Sequence, residues 1–404
     1  MIGAVRDNGF SFLKKGLENM RKTCFLYALV LLAILAGCRG RRNAGITANL
    51  SSVQSSTSQD APIQVKYAQG YSLRYDGDIC YVDLQDPQKE EDQSFHYALI
   101  PKGTKTNGLP KEYTPVEIPI SRVICMTSLQ LSSFIKLDEL DAVVGITSTR
   151  HLFNDEMNQR LKDGRTHKIG IEGNFDNEVI MAVNPDIILI SPFKRGGYDA
   201  LKNVDITLIP HLGYKETTPL GQAEWIKFAG LLIGQGHKAD SIFQGIESRY
   251  LALAELTKDV MHRPVVFSGE LQGGNWYAVG GQSFLARIFK DAGGDNFLKE
   301  DPHSGGFTMD YEVVYSQAAN ADYWRIVNSY QGDYSYKVLA DDDTRYTDFK
   351  AWREHGVVYC NMSQKPFYES MPMEPELVLS DFIKVFHPEL LPDYTPHYYE
   401  LLTE

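Results

Sequence analysis

From Gln64 to Pro119 apolar and polar positions alternate with a period of two, the pattern of half-buried strands. Tyr71-Ser72-Leu73-Arg74-Tyr75 and Ile79-Cys80-Tyr81-Val82-Asp83-Leu84 flank Asp76-Gly77-Asp78, which predicts a hairpin around an Asp-Gly turn. Phe95–Ile100 and Val116–Ile120 predict further strands. After Ser121 the pattern changes. Val123–Met126, Val143–Ile146, Ile187–Ile190 and Ile206–Ile209 are short unbroken apolar runs, with helical stretches around 129–139 and 177–183 between them. Buried parallel strands read as such runs, and their alternation with helices implies a doubly wound sheet.

Thr218-Pro219 then opens a long helix, with threonine as cap and proline at the first helical position. Trp225, Phe228, Leu232, Ala239, Phe243, Ile246, Tyr250 and Leu253 recur at helical spacing. Unbroken to about Asp259, this helix would measure roughly 60 Å. Gly234-Gln235-Gly236 is where it is expected to kink or split. A second strand–helix half follows: strand Val265–Phe267, helix Phe284–Ala292 closed by Gly293-Gly294, and strands Ala321–Val327 and Val357–Cys360. The expected fold is α/β, two Rossmann-like lobes joined by a long rigid α-helix, with a ligand cleft between them and an extra β-hairpin region in front. Its parts are 64–120 (β-rich extension), 121–217 (first lobe), 218–260 (linking helix) and 261–404 (second lobe).

The chain start carries a different pattern. Met20-Arg21-Lys22 is basic, Thr23–Leu35 is apolar, and Leu35-Ala36-Gly37-Cys38 follows. The apolar segment has the length of a signal peptide and is short for a span. The tetrapeptide resembles a bacterial lipobox, which implies cleavage before Cys38 and a lipid on its thiol. Residues 1–37 are thus expected to be a signal peptide with an upstream extension at 1–19, and 38–63 a lipidated cysteine and flexible Ser-rich tether. The lipid anchors the chain to a membrane without spanning it. Lys+Arg 40 against Asp+Glu 52 gives a net charge of -12 over 404 residues. Loss of 1–37 removes five basic and two acidic residues, leaving 35 against 50, or -15. That sign excludes a nucleic-acid surface, which needs a basic face. Beyond Cys24 and Cys38, the cysteines are Cys80, Cys125 and Cys360. Their wide spacing argues against a structural zinc site and leaves one disulfide, of open pairing, as an expectation. GxxxxGK[ST], HExxH and GxSxG are absent, which weighs against an enzyme.

Phe175-Asp176-Asn177-Glu178-Val179-Ile180-Met181-Ala182-Val183-Asn184-Pro185-Asp186-Ile187-Ile188-Leu189 resembles a hallmark stretch of the periplasmic binding proteins for iron chelates, haem and cobalamin. Asp291–Phe297, Tyr311-Glu312-Val313-Val314 and Ala319–Asp322 resemble the matching block of the second lobe. The likeness covers about 121–404. It implies capture of an iron chelate, a ferric siderophore or haem, and delivery to an ABC permease and its ATPase, by a monomer with no intrinsic cofactor. In this family each lobe offers a surface glutamate to arginines of the permease; the matching positions are Glu178 and Glu312. The corresponding physics is a bidentate Arg–carboxylate pair that orients the docked partner.

Ligands of open α/β sheets bind outside the carboxyl ends of the strands. The loops there mix cations with aromatics. Arg150, Lys194 and Arg195 suit the carboxylates of a haem or an acidic chelate. Tyr214, Trp276 and Tyr277 suit stacking on a flat macrocycle or catecholate. His151 or Tyr214 suits an axial iron ligand. Cobalamin binders carry an aromatic shortly before the first docking glutamate; here Glu172 stands near that place, which weighs against a corrinoid. Three other readings stay open: a corrinoid cargo, free zinc or manganese held by His151, His211 and His303, and an enzyme such as a chelatase or hydrolase on the same fold.

Overall fold

The computed structural model describes residues 62–403, apart from 90–91, 106–107, 148, 172, 193–197, 199–200 and 202–203. The Cys38 lipid site, the tether up to residue 61, Glu172, Lys194 and Arg195 lie outside the described residues, whereas Ile63, expected in the tether, is buried. Among those described, no helix is long and apolar enough to cross a membrane.

The extension is a four-stranded sheet of β1 (Tyr71–Asp76), β2 (Ile79–Leu84), β3 (Phe95–Pro101) and β4 (Thr114–Ile118), in that order. Asp76 pairs with Ile79, so the turn is Gly77-Asp78, and Gly77 takes the left-handed φ of 57° that the tight turn requires. In the first lobe come β5 (Val123–Cys125), α1 (Ser128–Leu137), β6 (Val143–Ile146), α2 (Asp155–Lys162) and β7 (His167–Lys168). A short hairpin of β8 (Gly170–Ile171) and β9 (Asn174–Phe175) leads to α3 (Asn177–Val183), β10 (Ile187–Ile190) and β11 (Thr207–Pro210). The sheet order is β11-β10-β5-β6-β7, every pair parallel. Three of its strands, β5, β6 and β10, are buried at every residue, as continuous apolar runs demand.

The linking segment is split, as the Gly234-Gln235-Gly236 sequence led us to expect. Helix α4 (Pro219–Leu232) and helix α5 (Gly236–Leu256) measure about 21 Å and about 32 Å. Gly234 sits at φ +73°, and a Cβ there would lie 3.1 Å from Pro119. Helix α4 is buried at nearly every position, so the expected apolar stripe is here the whole helix surface.

The second lobe holds β12 (Val265–Ser268), β13 (Leu271–Gln272), β14 (Asn275–Val279), α6 (Phe284–Asp291), β15 (Asp295–Asn296), β16 (Gly306–Met309), α7 (Tyr311–Ala318) and β17 (Tyr323–Asn328). It ends with α8 (Tyr336–Asp342), α9 (Lys350–Arg353), β18 (Val357–Asn361), α10 (Pro375–Phe386) and β19 (Glu400–Leu401). Its main sheet runs β15-β12-β17-β18-β19, parallel except for the β19 edge, and β13-β14-β16 form a side sheet. One core cluster runs from Tyr71 and Val123 through Trp225 and Phe228 to Phe289 and Phe382, so the spine joins extension and both lobes in one apolar interior. Cys80, Cys125 and Cys360 are buried free thiols in three different sheets, so the expected disulfide is not formed.

The extension is fastened to the spine by two buried carboxylates. Glu224 accepts from the backbone N–H of Lys66 (2.9 Å), Tyr67 (2.6 Å) and Ala68 (2.9 Å). Glu216 accepts from Gln69 N (3.0 Å), Gly70 N (2.9 Å) and Trp225 Nε1 (2.9 Å). Five consecutive amides thus wrap the start of the linking segment. On the far side of the split, Tyr67 OH donates to Glu247 (2.5 Å) and Ile63 packs where Gly236 has no side chain.

Candidate functional site

At the carboxyl ends of the parallel strands, the edge where an open α/β sheet carries its ligand loops, the two lobes touch. From the first lobe, the loop after β6 crosses to the second. His151 Nε2 lies 3.3 Å from Ser329 Oγ, and Phe153 N donates to Glu369 Oε1 at 2.9 Å. Beside them Lys136 Nζ reaches Glu374 at 3.2 Å. Glu369 is buried, its second oxygen has no partner, and burial raises its pKa against the bonds from Phe153 and Asn154. Burial, and then the charge of Arg150, lower the pKa of His151, so its ring meets Ser329 uncharged.

The second-lobe wall of this junction is polar and aromatic. Gly269, at φ +101°, turns the chain after β12 where a Cβ would strike Tyr277 O, and so sets Glu270 at the strand end. Glu270 Oε1 accepts from Asn328 Nδ2 and from Tyr334 OH, each at 3.3 Å. Tyr359 OH donates to Asn328 Oδ1 at 2.8 Å, and the Tyr334 ring stacks on Tyr359 at 4.4 Å between centroids. Tyr330 meets Tyr334 edge-on at 5.2 Å. Burial raises the Glu270 pKa; the bonds from Asn328 and Tyr334 and the charge of Arg325 act the other way. Arg325 itself donates to Tyr399 OH, and its Nε has no partner.

The sequence candidates fare differently. Arg150 is exposed and His151 half-buried at the junction. Tyr214 is half-buried on the core, in a short turn (Gly213–Lys215) before α4. Trp276 is not a ligand platform: it is fully buried among Phe267, Trp324, Tyr346 and Phe349, with Nε1 donating to Ser268 O at 2.9 Å. The reason is the alternation along β14, which turns Trp276 and Ala278 inward and leaves Tyr277 outward, 43% exposed over Gly306. The three histidines of the metal reading do not converge: no metal-holding group of His, Cys, Asp or Glu exists among the described residues. His303 pairs with Asp301 at 2.9 Å on the surface. His211 is fully buried against Trp225, with neither ring nitrogen bonded.

Burial pushes the His211 pKa from 6.5 down to about 3, so the folded chain resists a proton that the unfolded chain takes up. Stability is therefore lost as pH falls below 6.5 toward 3. His211→Phe keeps a ring on Trp225 and removes that titration; the variant is expected to lose less stability than the parent between those pH values, measured by urea unfolding.

Sequence reading missed Glu270, Asn328, Tyr334, Tyr359, Arg325 and Glu369. A usable signal existed for Glu270, since Gly269-Glu270 directly follows an apolar strand end. A groove of about 1030 Å³ lies elsewhere, along α5 and α6 by Leu251, Lys258 and Arg287. Its charges satisfy one another, as in Arg287–Asp291 (2.8 Å), Arg263–Asp295 (3.0 Å) and Lys258–Glu255 (3.0 Å), and they aim at no common point.

Glu178 and Glu312 both stand exposed in the first turn of a short helix, α3 and α7. Exposed apolar side chains flank them: Met181 (56%) and Ile171 (66%) in the first lobe, Val313 (41%) in the second.

The sequence profile of one family, described as periplasmic binding protein, matches residues 123–363. A lipoprotein of Methanocaldococcus jannaschii is 25% identical over 305 residues, 72% of this chain and 71% of its own. Among solved structures, a periplasmic haem-binding protein from Pseudomonas aeruginosa superposes with a TM-score of 0.55 at 16% identity, over 70% of this chain and 99% of its own. An ABC-type Fe3+-hydroxamate transport protein from Saccharomonospora viridis gives 0.53 at 19%, over 67% and 94%. Identities this low establish a shared fold and nothing finer.

Proposed function

The chain belongs to the periplasmic binding protein family, and from that membership we propose that it captures an iron chelate, a ferric siderophore or haem, and delivers it to an ABC permease. The observation that carries this reading is the junction of strand ends, where His151 of the first lobe meets Ser329 of the second, next in the chain to the Asn328 that bonds Glu270 in a cluster with Tyr334. Such a mixed aromatic and polar wall suits a flat or globular chelate. The exposed Glu178 and Glu312 serve as the docking pair, one per lobe, and Cys38 as the lipid anchor on a tether.

The test is an absorbance titration of the detergent-purified full chain with haemin, a ferric hydroxamate and cobinamide. A saturable shift with haemin or the hydroxamate is expected. A shift with cobinamide alone would replace the iron reading by a corrinoid one, and none with any ligand would end the chelate reading.

A further inference from the structure

We infer that Glu270 is the recognition point for an ammonium group on the transported molecule, and hence that the cargo is a positively charged chelate. The inference rests on the chelate-binding reading above and narrows it. Three observations combine. First, Glu270 is held in place on one side only: Oε1 takes the bonds from Asn328 and Tyr334, while Oε2 takes none and is not among the buried unpartnered atoms. A carboxylate fixed through one oxygen and open through the other is arranged to accept from something outside the chain. Second, its place is at the junction: Asn328 adjoins Ser329, which touches His151 of the other lobe at 3.3 Å. Third, its neighbours are tyrosine rings. Tyr330, Tyr334 and Tyr359 form a chain of contacts at 5.2 and 4.4 Å, and ring faces attract cations.

A half-buried carboxylate discriminates strongly on charge. Its desolvation penalty is already present in the unliganded protein, as the raised pKa reflects, and a bound cation offsets it while a neutral group of the same shape does not. Arg325 keeps a local positive field without pairing to Glu270, so among the described residues the carboxylate has no ion-pair partner of its own to displace.

The test compares two ferric trihydroxamates that differ by one charge: ferrioxamine B, with a terminal ammonium, and its N-acetylated form. The detergent-purified full chain is expected to bind the first about tenfold or more tightly than the second. Glu270→Gln, which keeps shape and hydrogen bonding, is expected to bring the two affinities together with an unchanged melting temperature. Tyr334→Phe, which frees Oε1 of one donor, is expected to reduce the preference only in part. Equal affinity of the parent chain for both complexes would overturn the inference, as would a preference surviving Glu270→Gln. If haemin or a neutral hydroxamate binds without such a preference, the chelate reading stands and this inference falls. If no chelate binds, both fall.

Discussion

A chain carrying Glu178→Arg and Glu312→Arg is expected to bind its ligand with unchanged affinity and to support no uptake. Both glutamates are exposed, and neither is among the residues that bond across the junction where we propose that the ligand binds. Reversal at each helix start costs about 0.3–1 kcal/mol through the dipole, too little to unfold a chain of this size. Asp176, which caps α3 by accepting from Val179 N at 3.0 Å, is untouched, so the first helix keeps its start. At the permease the effect is far larger. Losing a charge-assisted pair costs about 2–5 kcal/mol, and reversal adds repulsion, so two sites together weaken docking by roughly three orders of magnitude or more. The flanking Met181, Ile171 and Val313 supply apolar contact but no orientation. The measurement is uptake of labelled chelate by cells whose only copy is the variant, alongside titration of the purified protein. Uptake at the parental rate with intact binding would remove the docking role from both residues, and loss of binding would mean that the lobes had been disturbed instead.

How far the sequence reaches can be read from particular residues. The hairpin, the buried strands and the split at Gly234 were legible because each follows from local chemistry: alternation, apolar runs, and a glycine in a conformation that side chains resist. Glu178 and Glu312 stood out through motif and position, and both are exposed in the first turn of a helix. Trp276 was misjudged because an aromatic following Gly273-Gly274 looks like a loop tip, whereas the strand alternation after it turns the ring inward. The side sheet of β13, β14 and β16 and helix α8 left too short or too mixed a pattern to be read. The deeper gap concerns buried acids. Glu216, Glu224 and Asp381 look like ordinary helix-surface residues, yet all three are buried, and each is satisfied by backbone amides distant in the chain. Asp381 accepts from the N–H groups of His397, Tyr398 and Tyr399 and so pins the C-terminal tail to α10. Periodicity reports which face a residue occupies, not which loop returns to cover it. The Glu270 cluster was hidden in the same way, since Asn328, Tyr334 and Tyr359 meet it only after the strands have assembled.

One of these buried acids, Glu224, carries the second large expectation. Glu224→Ala is expected to destabilise the chain by about 3–5 kcal/mol, the range for breaking a buried, fully partnered charge. The carboxylate is completely buried and receives three backbone N–H groups and the Lys227 ammonium at 2.9 Å. Truncation leaves those donors without their acceptor. Lys227 keeps Asp240 at 3.0 Å and Gln64 O at 2.8 Å, so the loss falls chiefly on the amides of Lys66, Tyr67 and Ala68. These amides also anchor the segment that reaches Glu247 and Gly236 beyond the split, so the first visible consequence is local. Limited proteolysis is expected to cut near 62–70 in the variant before global unfolding, while the lobes remain protected. Glu224→Gln separates charge from shape: it keeps one acceptor but presents an amide NH2 to the same donors, and it should recover only a minor part of the loss. Urea unfolding of parent and variants reads the energy. A change below about 1 kcal/mol for Glu224→Ala, the value of an ordinary surface substitution, would mean that the extension is held by the apolar packing of Tyr71 on Trp225 and Phe228 rather than by this carboxylate.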